Sequence, residues 1–205
     1  AFLPAGDDGV RPFEVAALDV RGRAIQMGPA VDAILSRHAY PPPVSRLLGE
    51  AIVLAVLLGS SLKFDGKFIL QTETDGAVDM LVVDYLTTGG VRGYARFDAE
   101  RVAAAVAAGE AEPGALLGRG ILAMTIDQGA HMNRYQGVVA LEGDSLEAVA
   151  HAYFRQSEQI PTRVRLAVGE MHERRGGALR HAWRAGGLLV QFLPEATQRM
   201  RQADL

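Results

Sequence analysis

The chain contains no cysteine. That absence removes disulfides, thiolate metal sites and thiol catalysis. It also lacks an excess of basic charge: the formal net charge is −3, which offers no electrostatic footprint for nucleic acid. The N-terminus has no basic segment followed by an apolar run, so no secretory signal is expected and a soluble cytoplasmic protein is the default. The longest uninterrupted apolar run, Ala51 to Leu58, falls far short of the roughly 20 residues that span a bilayer, so no membrane partner is expected. Phosphate-cradling loops are missing as well, since no Gly-Lys-Ser or Gly-Lys-Thr follows a glycine pattern. There is no G-x-S-x-G elbow; Ser60-Ser61 reads as a helix end. The histidines, His38, His131, His151, His172 and His181, form no H-x-x-x-H or H-E-x-x-H pair, which argues against a metal site. No repeat and no low-complexity tract is found.

What is present is enough for a substantial core. The 205 residues are 49% hydrophobic and 22% charged, as expected of one large globular domain with at most a small appendage. The organising stretch runs from Tyr40 to Asp84. The Pro41–Pro43 triplet stops the preceding segment and suits a first helical turn. Val44 to Leu62 then reads as a helix that is apolar all round, hence buried, with Arg46 and Glu50 on its one wet edge. From Phe68 the period changes to two, as in a strand. Asp75-Gly76 predicts a tight hairpin turn with positive φ at the glycine, and Ala77 to Asp84 returns as the second strand.

The remainder completes an α+β pattern of mostly antiparallel sheets packed with helices around that central helix, 44–62. Phe13–Val20 is predicted as a strand, Arg21-Gly22-Arg23 as a turn and Pro29–His38 as a helix. Val91, Gly93, Ala95 and Phe97 share one face of a strand. Asp98 is predicted to cap a helix ending at Gly109. Ile121–Asp127 and Gln136–Glu142 form a strand pair. Asp144-Ser145-Leu146-Glu147 resembles a capping box opening a helix through Gln156. Gly89-Gly90, Gly176-Gly177 and Gly186-Gly187 mark tight or mobile connections. Gly169 to Arg180 is polar, charged and glycine-bearing and reads as a linker, so the expected division is a core domain over 1–168 and a linker with the start of a further segment over 169–205. Pro194 to Leu205 begins a helix that leads onward.

Candidate chemistry is sparse. Asp75, Asp79 and Asp84 are the nearest thing to a carboxylate cluster, but turn and strand-edge roles suit them better than acid–base work. His131-Met132-Asn133-Arg134 reads as a solvated hairpin tip, and Arg174-Arg175 is too short for a basic patch.

Four stretches carry a specific resemblance: YPPPVSRLLGEAIVLAVLLGSSLKFDG (Tyr40–Gly66), QTETDG (Gln71–Gly76), RYQGVVALEGDSL (Arg134–Leu146) and YFRQSEQIPTR (Tyr153–Arg163). With them the chain resembles the heat shock protein 33 family, redox-regulated holdase chaperones of the bacterial cytoplasm. The resemblance covers roughly Phe13 to Leu205. It implies a chaperone core domain followed by a linker, no enzymatic activity, and no catalytic or cofactor-binding residues. It further implies unfolded proteins as partners and a homodimer. The family holds zinc through four C-terminal cysteines, and oxidation releases the metal and activates the chaperone. No such cysteines stand in this chain, so it cannot bind that zinc or sense oxidant through thiols.

A holdase must expose apolar surface, which soluble monomers rarely do. The strand from Ala77 to Asp84 supplies candidates on both faces: Val78, Met80 and Val82 on one, Leu81 and Val83 on the other. One face is expected in the core, the other under the linker or facing a client. Burial of both faces reads the same way in sequence. Met80 and Met124 suit an adaptable surface, although methionine also fills cores. Two rival readings stay open. One is an enzyme with a pocket lined by Asp127, His131 and Arg134; the other is an oligomerisation domain with no client binding.

Overall fold

The computed structural model describes residues 7–128, 134–143, 145–175 and 178–192. Its centre is α2 (Pro42–Gly59), with proline at its start and Ser60 at its end. Ser60 and Ser61 close the helix by returning their hydroxyls to the Leu57 and Leu58 carbonyls. From Ala51 to Gly59 every residue is buried, because the helix lies between two sheets and packs on both. By length and composition alone α2 would pass as a membrane span, but it is mostly enclosed by the fold. Arg46 is exposed as expected, whereas Glu50 is half-buried. Leu47, Leu48, Ile52, Leu54 and Leu57 are among the largest fully buried side chains, each worth roughly 1.5–3 kcal/mol of transfer free energy.

One sheet has five strands in the order β5-β4-β3-β6-β7. They are β3 (Lys67–Thr74), β4 (Val78–Leu86), β5 (Val91–Phe97), β6 (Arg119–Asp127) and β7 (Tyr135–Glu142), all antiparallel. The other has four, in the order β1-β2-β9-β8: β1 (Asp8–Val15), β2 (Val20–Met27), β8 (Thr162–Arg175) and β9 (Ala178–Phe192). Between and around them lie α1 (Pro29–Leu35), α3 (Ala99–Ala108), α4 (Pro113–Leu117) and α5 (Leu146–Tyr153). The predicted caps are present. Asp98 accepts from the Glu100 and Arg101 amides with Gly109 left-handed at the other end, and Ser145 accepts from Ala148.

Several expectations are corrected. The turn in the first hairpin is not Arg21-Gly22-Arg23, which is strand, but a 3-10 turn over Ala16–Leu18 ending at a left-handed Asp19. Gly76 does turn the chain, yet its φ is not positive. Glycine is needed there because a Cβ would stand 2.2 Å from the Leu116 and Leu117 carbonyl oxygens. The helix after Ser145 stops at Tyr153 and continues as a π-helical turn, Phe154–Glu158, closed by a left-handed Gln159. Gly186-Gly187 is not a connection but lies inside β9, paired with Gln26 and Ile25. The stretch read as a linker, Gly169 to Arg180, is strand to Arg175 and again from Ala178, in a long β8–β9 hairpin reaching past β2. No break in secondary structure falls at 168/169. Gly176-Gly177 and Leu193 to Leu205 lie outside the described residues.

Candidate functional site

The two faces of the five-stranded sheet have different company. The inner face meets α2 and carries Phe68, Leu70 and Thr72 from β3, all buried. Register then fixes what lies outside. Gln71 pairs with Val82 on one side and Ala123 on the other; Val82 pairs with Tyr94, and Ala123 with Val138. One outward row therefore reads Tyr94, Val82, Gln71, Ala123, Val138. The next reads Arg96, Met80, Glu73, Ile121, Ala140. Tyr94, Ile121 and Val138 are 44%, 42% and 54% exposed, unusual values for large apolar side chains on one sheet face.

The strand singled out in the sequence is split by a bulge. Between Val78 and Met80 the β4–β5 register shifts, so one extra residue, Asp79, is accommodated and the alternation slips. Val78 consequently joins Leu81 and Val83 in the core, all three fully buried, while Met80 and Val82 are half-buried on the outer face. The predicted grouping of Val78 with Met80 and Val82 is thus corrected. Met124 points inward and is buried.

Charge frames this face. Arg96 pairs with Asp79 at 2.8 Å. Arg92 pairs with Asp84, its Nε donating at 2.6 Å, and Lys67 approaches the same carboxylate at 4.0 Å. On the far side Arg134 pairs with Asp127 at 3.1 Å. Arg96–Asp79 is a solvent-facing pair of a kind worth about 0–1 kcal/mol, whereas Asp84 is itself buried. The pairs border a mixed face, in which exposed Gln71 and Glu73 of β3 separate Tyr94, Val82 and Met80 from Ile121 and Val138. Asp75 completes the trio by accepting from the Arg119 amide at 2.7 Å. The three aspartates thus hold a turn and strand edges and do not converge.

Among the described residues nothing resembling an acid–base centre accompanies the face. The Asp127–Arg134 pair forms, but His131 lies outside the described residues. The strongly displaced carboxyl is Glu50 on α2, pushed up to about 7 by burial first and by Glu147 and Glu112 second; it faces helices, not the open sheet. Among the described residues no group of three His, Asp or Glu side chains is placed to hold a metal ion. Sequence reasoning missed Tyr94, Ile121 and Val138. The signal existed, because Val91, Gly93, Ala95 and Phe97 were assigned one face and Tyr94 therefore the other.

Comparisons with known proteins bear on the family and the fold. The family described as Hsp33 protein matches residues 8–204. A 33 kDa chaperonin of Caulobacter vibrioides is 54% identical over 91% of this chain and 61% of its own length. One from Ectopseudomonas mendocina is 39% identical over 86% of this chain and 54% of its own. This chain therefore spans between half and two thirds of these curated relatives. The crystal structure of a 33 kDa chaperonin from Thermotoga maritima superposes with a TM-score of 0.72 at 21% identity, over 94% of this chain and 63% of that one, a likeness of fold. On these matches, the chain belongs to the Hsp33 protein family.

Proposed function

We propose that this chain is an ATP-independent holdase domain that binds unfolded proteins on the outer face of its five-stranded sheet. The carrying observation is that face: Tyr94, Ile121 and Val138 stand open beside half-buried Met80 and Val82. Such a surface gains by covering apolar groups of an unfolded chain, at about 25 cal/mol per Å² removed from water. Unbranched Met80 adapts to varied partners, and the ion-paired rim keeps the free protein soluble. The naming of relatives as 33 kDa chaperonins supports the same reading. Within it, the domain is not an enzyme, works in the cytoplasm, carries no cofactor of its own and forms a homodimer. Val82 and Met80 serve as client-facing residues; Val78, Leu81 and Val83 hold the sheet together beneath them. The core extends to Phe192, and any covering linker follows it. Redox control belongs to the cysteines of the family's zinc module, which this chain does not contain.

The test is suppression of aggregation. A thermally unfolding protein is followed by light scattering with this chain present and no oxidant added. Reduced scattering at near-stoichiometric amounts is expected. Unchanged scattering with the chain still folded overturns the reading and favours an oligomerisation domain.

A further inference from the structure

A second feature lies on the opposite side of this sheet, where the two sheets part beyond the C-terminal end of α2. A cavity of about 450 Å³ opens there, within the range of roughly 300–1,000 Å³ typical of small-molecule sites. Its floor is apolar: Leu58 from α2, Phe68 from β3 and Met124 from β6, each buried. Its wall is Tyr153 and Phe154, whose rings meet edge to face at 5.4 Å. Gly137 sets the Tyr153 ring in place, since a Cβ there would stand 2.9 Å from it. The wall continues into the π-helical turn, a distortion found often at functional sites.

The mouth is cationic. Arg21, Arg23 and Lys63 line it, and among the described residues no carboxylate joins them. Alternation puts both arginines on the same face of β2 as buried Ile25 and Met27, Arg23 half-buried and Arg21 exposed where that face opens to solvent. Among the described residues neither arginine nor Lys63 has an ion-pair or hydrogen-bond partner; even Glu14, opposite Arg21 in the β1–β2 register, makes no ion pair with it. Burial lowers the Arg23 pKa, and the neighbouring Arg21 lowers it further. Exposed Arg21 and half-buried Arg23 stand side by side with no counter-charge among the described residues, so they repel one another, and an anion at that point relieves the repulsion.

We infer that this cavity is a binding site for a small amphiphile, its anionic head held by Arg21, Arg23 and Lys63 and its apolar tail lying over Leu58, Phe68 and Met124. The inference is independent of client binding, which uses the other face of the sheet. A carboxylate and a phosphate head share the required chemistry, and charge-assisted hydrogen bonds to guanidinium suit both.

The test titrates this protein, labelled with ¹³C at its methionine methyls, with decanoate and separately with decyl phosphate, both below micelle formation. Decanol and decyltrimethylammonium serve as neutral and cationic controls. Saturable binding of either anion is expected, with the Met124 methyl shifting and the Met80 methyl still; whichever anion binds more tightly identifies the head group. Decanol should bind about tenfold or more weakly, as should the anion to the Arg21→Gln/Arg23→Gln double variant, a factor that the loss of one charge-assisted hydrogen bond readily gives. Should that variant unfold, exposed Lys63→Gln provides a milder change with loss in the same direction. No saturable binding, equal affinity for decanol and the anions, or shifts at Met80 instead of Met124 would each overturn the inference.

Discussion

Gly187 of β9 lies so close to Val53 of α2 that a Cβ at position 187 would stand 2.6 Å from Val53 Cγ1 and 2.9 Å from the Arg165 carbonyl oxygen. The opposite sheet does the same: a Cβ on Gly93 of β5 would meet Ile52 and Leu48 at 3.1–3.3 Å. An all-apolar helix between two sheets leaves no room for side chains on both partners, so glycine lets the backbones approach. Gly187→Ala should therefore cost about 1–3 kcal/mol through overpacking. Gly169→Ala, with nothing within 4 Å, should be neutral or slightly stabilising. Urea midpoints at unchanged m-value measure both.

The bulge at Asp79 makes a face-by-face prediction along one strand. Leu81→Ala removes a fully buried side chain and should cost about 2–5 kcal/mol. Val82→Thr, next in sequence but on the half-buried outer face, should cost less than about 1 kcal/mol. Equal costs at the two positions would show that both faces of β4 are packed.

Much of this was legible before the structure. The central helix announced itself through proline at one end, serines at the other and an unbroken apolar run between. Asp98, Gly109 and Ser145 marked their helix ends because capping is local chemistry. What escaped was set by partners distant in sequence. A bulge leaves no trace in a strand's own alternation, so Val78 was assigned to the face of Met80 and Val82. Gly169 to Arg180 reads as a linker because the hairpin there extends beyond its neighbour β2, so nothing forces an apolar pattern on it. Gly187 looked like a turn because its need for glycine comes from Val53, far earlier in the chain. The exposed face itself became visible only when register aligned Tyr94, Val82, Ala123 and Val138.

Glu50 gives a pH dependence with a definite sign. Burial raises its folded-state pKa from the usual 4.5 to about 7. The folded protein therefore holds a proton that the unfolded chain has released, and this stabilisation is complete below about pH 4.5 and lost as pH rises through 7. Glu50→Gln should remove that loss. Discounted for partial exposure, the variant should gain about 1–3 kcal/mol over wild type at pH 8 and little at pH 4. Urea unfolding at both values decides the matter; a variant less stable at pH 8 would mean that the Glu50 carboxylate is favourably paired.

Client binding on the open sheet is tested most directly by changing that face without touching the core. Tyr94→Ser/Val138→Ser removes two of its exposed apolar groups, both on the face turned away from α2, and Leu188→Ser makes the equivalent change on the four-stranded sheet, where Leu188 is 38% exposed. Light scattering from a thermally unfolding protein is then compared at equal chaperone concentration, with thermal melts confirming that each variant is folded. The double variant should lose most of its ability to suppress aggregation while Leu188→Ser retains it. Full suppression by the double variant would contradict the placement of clients on this face.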